Sequence, residues 1–409
     1  MQNSTPVLIV KKFGGTSVGS IERIKHVASL LQGKGKLCVV VSAMAGETDR
    51  LLKLASSVTS DPEPREVDAL LGTGEQVTAS LLAMELISRG VKARSFDGSQ
   101  ARISTDGIHR HAKITGIDTS ELLASIDRGE IPIVTGFQGV DTKGDTTTLG
   151  RGGSDISAVA LAAALKAKEC HIYTDVEGVY STDPRIVPNA RLLPRISHEE
   201  MLELASLGAK VLHPRSVYFA MAYKVPLVVR STFVEGEGTW IVPEEELMEK
   251  PIVSGITYRT DETKIRIAKV PGGIESIKRI FVTLAERGIF VDMISQTGSS
   301  EGKTSISFTV LDEQGKDALK IVEDACRELK ASEVAVDTDI AKVSVVGVGM
   351  RYHTGVAADL FTVLAREGIE VSMISTSEIK VSILVPRKYC ELAVRALHDA
   401  FLVEVSVEK

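Results

Sequence analysis

From Val7 to about Val242, short runs of β-branched and aliphatic residues alternate with stretches whose apolar positions recur at helical spacing. Parallel strands joined by helices produce that rhythm, because a strand buried on both faces is apolar throughout whereas a covering helix needs only one apolar stripe. Val7–Lys12, Leu37–Val41, Ile131–Thr135, Cys170–Thr174 and Leu227–Val229 are predicted strands. Between them Ile21, Ile24, Ala28 and Leu31 fall on one helical face, and Ser154–Lys166 is predicted to be an alanine-rich helix with Ser154 at its N-cap. Ser197-His-Glu-Glu200 has capping-box spacing and opens another helix. The expected architecture of residues 1–245 is α/β, a three-layer helix–sheet–helix sandwich around a mainly parallel sheet.

Pro243-Glu-Glu-Glu-Leu-Met-Glu-Lys-Pro251 interrupts this rhythm, and residues 246–264 are expected to form a linker. Behind it the chain repeats itself. Phe281-Val-Thr-Leu-Ala-Glu-Arg-Gly-Ile-Phe-Val-Asp-Met-Ile-Ser295 matches Phe361-Thr-Val-Leu-Ala-Arg-Glu-Gly-Ile-Glu-Val-Ser-Met-Ile-Ser375 at a constant offset of 80 residues. So many shared positions mark two copies of one unit. Each reads strand, amphipathic helix ending at a glycine, strand, hairpin strand (Lys303–Leu311 and Lys380–Pro386) and second helix, a βαββαβ-like α+β module of about 70 residues. The modules are expected over 265–340 and 341–409.

A chain of 409 residues is too long for one ordinary core, which agrees with this division. Its 44% hydrophobic, 25% charged composition is that of a soluble folded protein. A net charge of −6, with no basic stripe interleaved with aromatics, argues against nucleic acid as a partner. The longest apolar run, Ala158–Leu165, is far shorter than the roughly 20 residues of a membrane span. The N-terminal residues lack the charged and apolar regions of a signal peptide, so a cytoplasmic location without membrane contact is expected. Cys38, Cys170, Cys326 and Cys390 are scattered and read as reduced structural thiols. His109 and His111 have no carboxylate or thiol close in sequence and read as solvated loop residues, so no metal site made of protein ligands is expected.

Three segments carry candidate chemistry. Lys12-Phe-Gly-Gly-Thr-Ser-Val18 follows a strand, where paired glycines bring backbone N–H groups close to an anion and Lys12 adds a full charge. Its spacing fits neither of the two common nucleotide-binding glycine motifs, and taken alone it is equally a strand-to-helix turn. In Thr147-Thr-Leu-Gly-Arg-Gly-Gly-Ser-Asp155 three glycines permit close backbone approach and Arg151 can grip a carboxylate with two hydrogen bonds; the plainer alternative is a flexible loop before a helix. Tyr173-Thr-Asp-Val-Glu-Gly-Val-Tyr-Ser-Thr-Asp-Pro-Arg185 places polar residues at the end of a strand, where open α/β sheets bind ligands, although such a segment is as often structural.

Together with Ser42-Ala-Met-Ala-Gly-Glu-Thr-Asp49, Gly72-Thr-Gly-Glu-Gln76 and the stretch Glu199–Pro214, these segments resemble the amino-acid kinase family, in its aspartate kinase branch, in order and spacing over nearly the whole chain. The repeated tail looks like the pair of ACT domains that follows the kinase in that family. The resemblance implies transfer of the γ-phosphoryl group of ATP to the β-carboxylate of L-aspartate, with Mg²⁺ held mainly by phosphates and water. It implies that Arg151 binds the α-carboxylate and Glu75 the ammonium, with Thr48, Gly152, Gly153 and Ser154 completing the pocket. It makes Lys12 the catalytic cation and Asp155 the residue that orients it. For the nucleotide it implies Lys12, Phe13, Gly14, Gly15, Ser42, Thr174, Asp175, Tyr180, Asp183, Arg185 and Lys210.

By the same resemblance lysine, threonine or both would inhibit by binding between ACT modules, at Asp292 and Gln296 in the first copy and Val356, Ser375, Ser377 and Glu378 in the second. A homo-oligomer, or an α₂β₂ assembly with a shorter product starting near Met248, would form through these modules. The chain departs from the family pattern where a Pro-Gly turn usually opens each first ACT helix: Ile274-Glu275 stands there in the first copy, and Thr354 in the proline place of the second. Which amino acid inhibits is therefore left open. Alternatives are a kinase of the same fold acting on another carboxylate, such as glutamate, and a catalytically silent amino-acid sensor; the presence of Lys12, Arg151 and Asp155 speaks against the second.

Overall fold

The computed structural model describes residues 7–247, 251–271, 273–298, 303–329 and 333–402. Met248, the candidate internal start, lies outside them. Taking those residues, the chain folds as two compact units. One comprises the described residues within Met1–Tyr180, Leu192–Ser206 and Lys210–Glu249, the other those within Ser181–Arg191, Leu207–Ala209 and Lys250–Lys409.

In chain order the first half of the first unit contains β1 (Ile9–Phe13), α1 (Ile21–Leu31), β2 (Leu37–Val41), α2 (Glu47–Val58), α3 (Pro64–Ser88), β3 (Ala93–Phe96), β4 (Ile103–Thr105), β5 (Ile114–Ile117), α4 (Ser120–Asp127) and β6 (Ile131–Thr135). Then follow β7 (Gln138–Val140), β8 (Thr146–Thr148), α5 (Gly153–Ala164), β9 (Glu169–Thr174), β10 (Arg195–Ser197), α6 (His198–Ser206), α7 (Pro214–Tyr223), β11 (Leu227–Ser231) and β12 (Thr239–Val242). Eight strands form one sheet in the order β10-β12-β11-β9-β1-β2-β6-β3. All its pairs are parallel except β11 with β12. A smaller sheet, β5-β4-β7-β8, stands beside it.

The central strands are buried on both sides. On one face Ile9, Phe13, Val39 and Val41 pack with Ile24, Val27, Ala28 and Leu31 of α1 and Ala79, Leu82 and Leu86 of α3. The alternation of side chains along β1 sends Lys12 to the other face, against α5. α5 is buried over almost its whole length, which explains its alanine: small side chains let it lie close on β1, β2 and β9. The capping box forms as expected, with Glu200 N donating to Ser197 Oγ and Ser197 N to Glu200 Oε2, both at 3.1 Å. The N-cap of α5 is Gly152, not Ser154. Gly152 has a φ of +72°, a value that serine adopts only with strain, so the helix starts earlier than its hydroxyl suggests.

The second unit contains β13 (Gly255–Arg259), β14 (Glu262–Pro271), α8 (Gly273–Glu286), β15 (Val291–Gln296), β16 (Lys303–Leu311), α9 (Asp312–Leu329) and β17 (Glu333–Asp337). It continues with β18 (Ile340–Val346), α10 (Val356–Arg366), β19 (Met373–Thr376), β20 (Lys380–Pro386) and α11 (Cys390–Leu402). The two copies of the repeat form the sheets β15-β16-β14-β17 and β19-β20-β18-β13. The stretch expected as linker therefore contains a strand. β13 pairs antiparallel with β18 and takes the place in the second sheet that β17 takes in the first. The acidic run before it drew the boundary, but Gly255-Ile-Thr-Tyr-Arg259 alternates, and its Ile256 belongs to the core of the second module.

Between the modules Lys342 of β18 is fully buried and forms ion pairs with Glu262 of β14 and Asp292 of β15. Burial holds the Glu262 carboxyl above its ordinary range even beside Lys342, and its Oε2 has no hydrogen-bond partner. Removing the cation alone leaves a buried carboxylate uncompensated. Lys342→Met is expected to lower stability by about 3–5 kcal/mol, and adding Glu262→Met to restore most of that loss, in denaturant unfolding followed by circular dichroism.

Candidate active site

Three backbone features of the first unit converge on one cleft. β1 ends at Lys12-Phe13 and turns through Gly14-Gly15. α2 opens at Gly46-Glu47-Thr48, and α5 opens at Gly152-Gly153-Ser154. Both helices begin at a glycine in the left-handed region and neither N-terminus has a capping side chain. Uncapped first-turn N–H groups, reinforced by the helix dipole, favour an anion. The cleft, of about 380 Å³, is lined by Lys12, Gly15, Ser42–Gly46, Thr48, Asp49, Glu75, Phe137 and the loop Gly150–Asp155.

Its charges are arranged in two pairs of opposite needs. Lys12 Nζ meets Asp155 Oδ1 at 2.5 Å, with both side chains little more than a tenth exposed. Glu75, projecting from α3, accepts a hydrogen bond from Ala43 N at 3.1 Å through Oε1. Its Oε2 is buried with no hydrogen-bond partner among the described residues. Burial, only partly offset by the Ala43 N–H, pushes the Glu75 carboxyl up to about 7. An enclosed carboxylate with one empty oxygen is a receptor for a cation. Arg151, at the exposed tip of the glycine loop, is free to turn toward an anion in the same cleft.

The loop itself is held from three sides by residues that motif reading missed. Asp68 of α3, wholly buried, accepts from Thr148 N at 3.0 Å and Thr148 Oγ1 at 2.6 Å. It also accepts from Arg110 N and pairs with His109 Nδ1 at 2.9 Å, so His109 is a packed partner of a buried carboxylate and not a solvated loop residue. Arg215 Nη1 donates to Leu149 O at 2.7 Å. His213, N-cap of α7, packs so closely on Gly152 that a Cβ there would lie 2.3 Å from its Cβ and Cγ. Phe137, also lining the cleft, holds a φ of +70°, an uncommon conformation for a bulky residue that is stabilised by Ser157 Oγ accepting from its N–H. The clue in the sequence was two acids, Asp68 and Glu75, on the apolar face of one helix.

Other expected residues fall outside the cleft lining. Phe13 is fully buried and stacks on Tyr173 at 4.7 Å, so its side chain does not face a ligand. Gly14 N–H donates to Tyr173 O at 3.1 Å, which leaves Gly15 as the member of that glycine pair lining the cleft. Thr174 and Asp175 lie at the end of β9, Thr174 Oγ1 donating to Asp175 Oδ1 at 3.0 Å; Tyr180 OH donates to Glu177 Oε1 at 3.4 Å, and Lys210 is exposed before α7. Asp183 and Arg185 belong to the second unit, where they pair with each other at 2.7 Å and Tyr258 OH donates to Asp183. Of the expected effector residues, Asp292 is paired with Lys342, Gln296 ends β15, and Val356 opens α10 as a buried residue. Ser375 lies on β19, next to the turn holding Ser377 and Glu378, where Glu378 pairs with Arg351 at 3.2 Å.

The fold and cleft define a class: an α/β enzyme that presents anion-binding helix ends and a buried lysine beside a cation-receiving carboxylate. Comparison with known proteins gives the family. The amino acid kinase family model matches residues 7–231, and an ACT domain model matches 269–326 and 343–401. An aspartate kinase of Pseudomonas putida is 55% identical over 399 residues, 96% of this chain and 97% of that protein. Aspartokinase 2 of Bacillus subtilis is 50% identical over 398 residues, covering 96% and 97%. The structure of E. coli aspartokinase III in complex with aspartate and ADP superposes with a TM-score of 0.81 at 27% identity, covering 97% of this chain and all of that one. The chain belongs to the aspartate kinases of the amino acid kinase family.

Because Asp68 joins α3 to the strand that launches the glycine loop, its loss strands several buried donors at once. Asp68→Ala is expected to cost about 3 kcal/mol of unfolding free energy, read as a lower denaturant midpoint at unchanged slope.

Proposed function

We propose that the cleft transfers the γ-phosphoryl group of ATP to the β-carboxylate of L-aspartate. The observation that carries this reading is the unpartnered, buried Oε2 of Glu75 in the same cleft as the Lys12–Asp155 pair. A zwitterionic amino acid supplies the ammonium that Glu75 lacks, and Arg151 takes its α-carboxylate. The side-chain carboxylate is then the remaining nucleophile. With an ordinary pKa near 3.9 it is ionised at neutral pH, so no general base is needed, and catalysis falls to positioning and charge neutralisation.

Lys12, aimed by Asp155, stabilises the charge of the transferring group, and the Gly15 backbone lies where a further donor is needed. Thr48, Gly153 and Ser154, in the uncapped first turns of α2 and α5, bound the amino acid. Ser42, which also lines the cleft, would contact the nucleotide. A magnesium ion accompanying the nucleotide would take mainly phosphate and water oxygens and supply charge neutralisation there.

The ACT modules bring regulation. E. coli aspartokinase III in complex with lysine and aspartate superposes on this chain with a TM-score of 0.77 at 28% identity. In this chain Asp292 is held by Lys342, and the ammonium of a bound amino acid would compete with that lysine. Lysine or threonine binding at Asp292 and Gln296 would inhibit only by favouring one arrangement of the modules over another.

Release of ADP should require L-aspartate; release with L-glutamate instead would overturn the substrate assignment, and no release with either would indicate a sensor. Lys12→Met is expected to lower kcat by about 10²–10³-fold with little change in ATP affinity. The pH dependence follows from Glu75. Below about 7 its carboxyl takes up a proton and no longer receives the ammonium, so the KM for aspartate rises as pH falls, by up to about tenfold per unit. Above 7 it levels off. Glu75→Gln is expected to raise KM throughout and to remove this break.

A further inference from the structure

Side chains alternate along β1, so Lys11 lies on the sheet face opposite Lys12, and the strand register gathers other donors around it. Lys11 is directly beside His171 of β9, and Arg230 of β11 is beside Tyr173, two residues further on. The three therefore share one face across three adjacent strands. Lys11 is only 6% exposed, yet it makes no ion pair among the described residues; a ring, that of Tyr173, lies 5.7 Å from its Nζ. Among the described residues Arg230 Nε is buried without a hydrogen-bond partner, as is His171 Nδ1. Burial, with Lys34 and Arg230 nearby, brings Lys11 down to about 8.

The acid close to this group does not balance it. Glu169 accepts from His171 Nε2 at 2.8 Å and pairs with Lys168 at 3.1 Å. Burial pushes the Glu169 carboxyl up, but these hydrogen bonds outweigh it and hold the group below its ordinary range. Glu169 is thus an acceptor, which makes His171 Nε2 the donor and leaves Nδ1 of the neutral ring as a buried acceptor. Enclosed polar atoms without partners mark a place for an ion or water.

We propose that Lys11, Arg230 and His171 form a second binding site, for inorganic phosphate, on the sheet face opposite Lys12. Phosphate has the chemistry to meet all three groups. Its charged oxygens meet the Lys11 ammonium and the Arg230 guanidinium, and near neutral pH it carries a P–O–H that donates to His171 Nδ1. Sulfate has the same size and charge but no proton there, so it would leave Nδ1 facing a lone pair. The site selects a protonated oxyanion.

The test is calorimetric titration with inorganic phosphate and with sulfate at fixed ionic strength and neutral pH, with the catalytic cleft filled by a non-hydrolysable ATP analogue and aspartate. One phosphate per chain is expected, bound more tightly than sulfate. Lys11→Met and Arg230→Met should each weaken it by about tenfold or more. His171→Phe should abolish the preference for phosphate over sulfate. Lys11→Met should fold and release ADP as the wild type does, because Lys11 lies outside the cleft; Arg230→Met provides the same reading if Lys11→Met folds poorly. Absence of binding to the wild type, equal affinity for the two anions, or affinity unchanged in both methionine variants would mean an adventitious ion only and would overturn the proposal.

Discussion

The pair between Lys12 and Asp155 joins the first strand of the sheet to the first turn of α5, and the geometry of the cleft depends on it. Neither group would be tolerated alone at such burial. Lys12 is delivered by a strand whose other residues are locked into a parallel ladder on both sides, and Asp155 by a helix buried almost end to end. The charge is therefore held between a strand paired on both sides and a buried helix, an arrangement that electrostatic stabilisation of a transferring group would require. Asp155 aims the cation, and α5 carries the glycine loop with it.

Around that pair the cleft is a set of deliberate incompletions. Among the described residues, two helices start without side-chain caps, one carboxylate oxygen of Glu75 has no partner, and an arginine stands unpaired at the loop tip. Each is unfavourable in the free protein, and on the proposed reading each would be relieved by one group of an α-amino acid with an acidic side chain or by a phosphate. The stability that tolerates them comes from behind, where Asp68, Arg215 and His213 hold the loop by hydrogen bonds and close packing. In the second unit the fully buried Lys342 joins the repeated modules by the same kind of charge pairing.

Much of this was legible in the sequence wherever a local pattern has one physical solution. The apolar runs became the central strands, the Ser197–Glu200 spacing became a capping box, and the hairpin strands of both repeats fall at Lys303–Leu311 and Lys380–Pro386. Lys12, Glu75, Thr48 and the Arg151 loop come together in one cleft. What was illegible depends on partners distant in sequence or on backbone angles. Asp68 finds Thr148 across 80 residues, and nothing near it in the chain announces that. Ser154 looked like a cap, but the left-handed turn belongs to Gly152. Gly14 and Phe13 were implied as nucleotide residues by family resemblance alone; in the structure the Gly14 N–H is bonded to Tyr173 O and the Phe13 side chain lies in the core. The linker reading failed at β13 because a strand of five residues shows its membership only when it finds its neighbour.

The central claim is that the cleft holds an amino acid by its ammonium and α-carboxylate and leaves the β-carboxylate to attack phosphorus. Carbon-13 NMR of L-aspartate labelled at C4, incubated with the enzyme, ATP and magnesium, tests it directly. The account predicts a new C4 resonance split by coupling to phosphorus, with C1 unchanged. Coupling at C1, or ADP formed with both carboxyl resonances unaltered, would contradict it.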